Sequence, residues 1–177
     1  MLRSVSNLKH VTITAMDGSL GSVSDLYFDD RSWAVRYLVV EAGTWLPGGR
    51  VLVPPVSIRC ADSTTLRVAL SKRQVTVSST VATPDAHLRP ATAVMGYAMQ
   101  AEDGEIGHVK DVLVDDKAWA IRYLVIDTEK WWTGKKVLVS PEWLTRVTWG
   151  ESKTLFCLVT AAEDTVAPRT LSRRLAG

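Results

Sequence analysis

DDRSWAVRYLVV, residues 29–40, returns as DDKAWAIRYLVI, residues 115–126. The offset of 86 holds without a gap from Asp17–Pro55 to Asp103–Pro141. Similarity this long at one offset marks two copies of a whole folding unit, whereas solenoid motifs recur more often and at shorter periods. Two acids, a tryptophan and an arginine repeat together. The string is therefore either a doubled active site or a doubled scaffold, and its surroundings decide which.

The copies drift further on. Ser63-Thr64-Thr65-Leu66 matches Ser152-Lys153-Thr154-Leu155 at an offset of 89, which puts three extra residues in the second copy near Trp143–Trp149. Insertions of this kind are tolerated in connections. Residues 76–93, TVSSTVATPDAHLRPATA, have the Ser, Thr, Ala and Pro content of a link between copies. The expected organisation is a first repeat over 1–78, a linker over 79–92, a second repeat over 93–168 and a basic tail over 169–177.

Each copy reads as short strands. In the first, Val11–Ala15 is β-branched and stops at the turn signal Asp17-Gly18. Gly21 follows at the spacing of a tight bend or bulge. Val23–Phe28 is a second strand, closed by Asp29-Asp30. Trp33–Glu41 is the third, and both of its faces are largely apolar, as in a strand buried on two sides. Arg50–Val53 ends at Pro54-Pro55, and Leu66–Leu70 is a fifth. Ser140-Pro141-Glu142 has the cap and first-turn proline of one short helical turn. The expected fold is mainly β: two tandem small antiparallel barrels with little helix, related as in an isologous dimer fused into one chain.

Composition excludes several classes. Hydrophobic residues make up 46% and charged residues 23%, an ordinary globular balance. The net charge of +2 lies in residues 1–85, with nine basic against seven acidic side chains; the remainder balances at twelve each. Neither half has the basic excess of a dedicated nucleic-acid binder. No apolar run approaches the ~20 residues of a membrane span, and the amino-terminal stretch lacks a signal-peptide core. Cys60 and Cys157 occupy different places in the two copies, which points to buried reduced thiols in a cytoplasmic protein.

The pattern shared by DGSLGSVSDLYFDDRSWAVRYLVVEAGTWLPGGRVLVPP and DGEIGHVKDVLVDDKAWAIRYLVIDTEKWWTGKKVLVSP resembles the PRC-barrel family. Asp-Gly is followed by Gly-x-Val-x-Asp, an acidic turn, a Tyr-Leu-Val strand, a Trp-containing loop and a Val-Leu-Val strand. The family takes its name from the cytoplasmic barrel of the photosynthetic reaction centre H subunit. A similar barrel ends a factor that matures the small ribosomal subunit. The resemblance implies a barrel used for docking or assembly. It also leaves open a peripheral subunit of a photosynthetic or other membrane complex, and a ribosome or RNA accessory factor. The expected location is cytoplasmic, with a membrane-peripheral site as the variant of that reading.

No residue set nominates itself as catalytic. Asp29-Asp30 and Asp115-Asp116 point to opposite faces of an extended chain, a poor chelate, and turn chemistry accounts for them. Asp25 and Asp111 are expected to pair across strands with Arg36 and Arg122. His10, His87 and His108 show no metal spacing, and no phosphate loop, dinucleotide fingerprint or nucleophile elbow occurs. No cofactor or metal is expected.

Five of the seven tryptophans lie in the second copy. Trp33 and Trp119 are expected to pack in the barrels. Trp45, Trp131 and Trp132, with Lys135 and Lys136, are the candidate partner-binding residues, since loop aromatics either cap their own barrel or bury in a partner. Aromatics beside lysines also suit single-stranded nucleic acid, but the first copy has Gly49-Arg50 where the second has Lys135-Lys136. Protein is the favoured partner class, a membrane complex and a homodimer are further candidates, and nucleic acid is disfavoured.

Overall fold

The computed structural model describes residues 1–81, 85–102, 104–128, 136–150 and 152–157. It is mainly β, with two sheets of seven strands. The chain divides into two compact units. Unit 1 comprises 1–93 together with 112–122, and unit 2 comprises 94–111 with 123–177.

In unit 1 the chain starts as β1 (Leu2–Ser4) and a single helical turn, α1 (Val5–Leu8), whose Asn7 amide donates to Ser4 Oγ at 3.3 Å. The sheet follows: β2 (Thr12–Ala15), β3 (Gly18–Asp29), β4 (Val35–Ala42), β5 (Arg50–Val53), β6 (Ile58–Ala61) and β7 (Thr65–Val68). Their spatial order is β5-β4-β3-β2-β7-β6, antiparallel except for the β2–β7 pair. The ends of this path, β5 and β6, do not pair among the described residues. As expected, β4 is buried on both faces, with Leu38, Val39 and Val40 all within the core. Phe28, Ile13, Leu20, Leu26 and Leu66 fill the interior and are inaccessible to solvent.

Gly21 makes the bend its spacing announced. It has φ +135°, and the β2–β3 register shifts beside it between Ile13 and Thr14. A side chain here would strike the carbonyl oxygen of Glu41. The crossing of β3 and β4 thus needs a residue without Cβ.

Two elements of unit 1 meet the stretch read as a link. Helix α2 (Lys72–Val81) runs into its start, and β8 (Leu88–Pro90) lies within it. A reciprocal cap starts α2: the Gln74 amide donates to Ser71 Oγ, and the Ser71 amide to Gln74 Oε1. The Asp17 carboxylate accepts the Lys72 amide at 3.0 Å. Val75 is buried, and Ser79 Oγ accepts the Leu52 amide at 2.7 Å, which ties α2 to β5.

In unit 2, β9 (Ala98–Ala101), β10 (Gly104–Asp115), β11 (Ala120–Asp127), β12 (Lys136–Val139), β13 (Leu144–Thr148) and β14 (Thr154–Cys157) follow the order β12-β11-β10-β9-β14-β13. Residues 112–115 of β10 and 120–122 of β11 count with unit 1. The β9–β14 pair is parallel, as β2–β7 is. The expected short helical turn is present at Pro141–Trp143, with Ser140 Oγ accepting the Glu142 amide. The three-residue insertion falls between β13 and β14. Met99, Leu124, Ile126 and Leu155 form the buried interior. Cys157 is buried and forms no disulfide; Cys60, expected to be buried, is exposed on β6, because it sits on the last strand of its sheet path.

Candidate functional site

The paired acids serve the scaffold, and each member has its own task. Asp29 accepts the Arg31 and Ser32 amides at 3.0 and 2.8 Å and the Ser32 hydroxyl at 3.0 Å. The Ser32 amide above all holds its carboxyl below the usual carboxylate range, against a smaller opposing effect of burial. Asp115 is likewise held low, first by the Lys117 amide, which donates to it at 3.0 Å.

The second acids bind short strands from far away in the sequence. Asp30 receives Arg89 Nε at 3.0 Å and His87 Nδ1 at 2.9 Å. Asp116 receives Arg3 Nε at 2.8 Å. Burial raises the Asp116 carboxyl, but hydrogen bonds from the amino terminus and Arg3 outweigh it and hold the group low. These bonds accompany two equivalent ladders. β8 lies antiparallel to β3 with Leu88 opposite Asp29, and β1 lies antiparallel to 113–115 of β10 with Leu2 opposite Asp115. Both ladders lie within unit 1. Every residue of one corresponds to a residue of the other at the offset of 86, so the copies exchange their first strands.

Trp33 and Trp119 add a second reciprocal link. Both have left-handed backbone, with φ of 57° and 49°, at the end of a turn closed by their amides on Asp29 and Asp115 carbonyls. Val35 N donates to Trp119 O at 2.7 Å, and Ile121 N donates to Trp33 O at 2.8 Å. The strain of a tryptophan at positive φ is tolerated where surrounding bonds over-determine it. The Trp33 ring stacks on Phe28 with centroids 5.1 Å apart.

Beside this link, unit 1 has an open groove of about 650 Å³. One wall is β6, from Ile58 to Ala61. Another is Pro54-Pro55-Val56, and the rest comes from Ala34–Arg36 and Asp116–Trp119. Val56 is 87% exposed. The groove carries three cations, Arg36, Arg59 and Lys117, against Asp116, which is bonded to Arg3. Among the described residues no cluster of His, Cys, Asp and Glu is arranged to hold a metal, and no helix is long and apolar enough to cross a membrane.

The model of the PRC-barrel domain family matches residues 2–81 and 98–153. The chain belongs to the PRC-barrel family. No curated protein matches it significantly. The first matched segment begins at Leu2, so the PRC-barrel repeat takes in the exchanged strand β1.

The remaining predicted residues of this PRC-barrel chain divide as follows. The expected Asp25–Arg36 pair does not form. Asp25 stands opposite Val39 in the β3–β4 register, whereas Arg36 lies near the far end of the ladder, where its guanidinium is 3.8 Å from Asp29. Asp25 instead accepts the hydroxyl and amide of Thr92, just after β8. In the same way Arg122 pairs with Asp115 at 3.8 Å and not as expected with Asp111, which is half-buried in β10. Trp45 caps its own PRC-barrel repeat: its Nε1 donates to the Leu20 carbonyl at 2.6 Å, and Lys72 Nζ lies over its ring. Lys136 is exposed on β12 opposite Asp127. Trp131, Trp132 and Lys135 lie outside the described residues. The groove was not legible as a site, because its β6 wall is where the copies differ. Arg59, Cys60 and Ala61 correspond to Thr145, Arg146 and Val147.

Proposed function

We propose that this tandem PRC-barrel chain is a non-enzymatic interaction module that docks a partner protein in the cytoplasm and serves assembly. The observation that carries the reading is the division of labour in unit 1. The repeated charged residues Asp29, Asp30, Asp115, Asp116, Arg3 and Arg89 are engaged in turns and strand ladders. The open groove beside them draws its β6 wall from residues that do not repeat. A scaffold shared by both copies with a surface peculiar to one is the arrangement of a specificity module on a common fold. The groove's open shape and exposed Val56 suit an extended protein segment better than an enclosed small molecule.

The test is crosslinking of the full chain in its own cells, with the crosslinked positions mapped by mass spectrometry. The reading expects a specific protein partner whose crosslinks survive competition by excess chain. Recovery of no specific partner, together with turnover of a defined substrate, would overturn it.

A further inference from the structure

We infer that the groove of unit 1 takes an extended, acidic segment of a partner protein, laid along the outer edge of β6. The inference rests on the docking reading above and gives it a place and a chemistry. Successive residues of a strand point to opposite faces. β6 bulges between Ile58 and Cys60, but beyond the bulge the consecutive residues Cys60 and Ala61 both line the groove, which therefore follows the strand's edge and not one face. β6 is the last strand of its path and pairs only with β7 among the described residues. An incoming strand can add there by main-chain hydrogen bonds, with side chains setting specificity. Four residues at about 3.3 Å each give it a footing of roughly 13 Å.

Charge selects the occupant. Arg59 and Lys117 are exposed and have no ion-pair partner among the described residues, and Arg36 is only loosely held by Asp29 at 3.8 Å. The single acid, Asp116, already receives Arg3. Exposed Val56 and half-buried Ile58 supply apolar footing between the cations. A segment alternating acidic and apolar side chains matches this wall. A second copy of the chain fits less well, since pairing β6 with itself brings the cations of two identical grooves, Arg36, Arg59 and Lys117, onto one edge. RNA also fits less well, because the groove's one aromatic, Trp119, is only 9% exposed and offers no stacking platform.

The full chain, uniformly ¹⁵N-labelled, is titrated with a blocked hexapeptide alternating Glu and Val. Peptides alternating Lys and Val, and Ser and Val, are the controls. Saturable movement of the Ile58–Asp62 amide signals with the Glu peptide alone is expected. Arg59→Glu and Lys117→Gln should each weaken it at least tenfold with an unchanged urea midpoint. Arg59→Gln replaces Arg59→Glu if that midpoint moves. Equal response to the Lys peptide, movement confined to other residues, or no saturable movement up to about 5 mM peptide would overturn the inference. Binding of oligouridylate, or self-association lost on Arg59→Glu, at the same amides would overturn it in favour of the other occupants. Specific crosslinks mapping to another surface would sink the groove and leave the docking reading standing; no specific partner, together with turnover of a defined substrate, would sink both.

Discussion

Arg89 Nε donates to the Asp30 carboxylate at 3.0 Å, although the two residues are 59 positions apart. Arg3 makes the same bond to Asp116 at 2.8 Å. The two pairs are equivalent at the offset of 86, so each copy's first strand is fastened to the other copy's acid turn. Within unit 1 this exchange supplies β3 with a neighbour, β8, that residues 1–81 do not contain.

Cutting the chain after Val81 should therefore expose the β3 edge that β8 covers. Unpaired edges of this kind recruit other chains. The fragment 1–81 is expected to self-associate, with a melting temperature that rises with protein concentration. Sedimentation velocity and thermal unfolding across a hundredfold concentration range check this. A stable, concentration-independent monomer would contradict it.

Gly21→Ala and Gly107→Ala should each destabilise severely, by about 3 kcal/mol or more. A Cβ at Gly21 meets the Glu41 carbonyl oxygen, and one at Gly107 meets that of Asp127. Gly48→Ala is the control. Gly48 also has positive φ, at 68°, but a Cβ there meets nothing within 4 Å, so only the conformational cost of about 1 kcal/mol applies. Urea denaturation of the three variants separates contact from conformation.

Acid should weaken the fold through the repeated turns. Asp29, Asp115 and Asp116 all sit below their ordinary value of 3.8 in the folded chain. The unfolded chain therefore binds more protons between the two values, and stability rises with pH there. Their contribution is complete above 3.8 and is lost as pH falls through the folded values. Urea midpoints measured downward from about pH 6 should hold steady and then fall below about pH 4. The fall should be shallower in Asp29→Asn and Asp115→Asn.

Ser71→Ala should destabilise α2 by about 1 kcal/mol, the usual effect of losing a helix cap. Gln74→Ala removes the other half of the reciprocal cap and should act on the same helix. Amide exchange should quicken along 75–81 in both variants, with protection of Leu38–Val40 in the β4 core unchanged.

The strands β2 to β5 and β7 and the bend at Gly21 were legible because they rest on strong local signals: the 86-residue repeat, alternation, and Asp-Gly turns. Helix α2 also had a signal that went unread. Ser71-Lys72-Arg73-Gln74 is a capping-box sequence, masked by the low helix propensity of the Val-, Thr- and Ser-rich turns after it. The exchanged strands are three residues each, too short for any periodicity to show. Their trace is the pair Leu2-Arg3 and Leu88-Arg89, which lies at the same offset as the rest of the repeat. The Arg36 partner was misassigned because the string alone does not give the β3–β4 register, in which Asp25 stands opposite Val39, three residues from Arg36. The groove depends on which side of β6 stays open, a property of the sheet and not of any local string.

The central claim is that the second acid of each repeated Asp-Asp pair fastens an exchanged strand. A double-mutant cycle on Asp30→Asn and Arg89→Gln, read by urea unfolding, tests it most directly. The pair is well shielded on the Asp30 side, at 7% exposed, and less so at Arg89, at 35%. Each single substitution should cost about 1–2 kcal/mol, with a coupling of about 1 kcal/mol between them. Additive effects, or two variants as stable as the parent, would contradict the account.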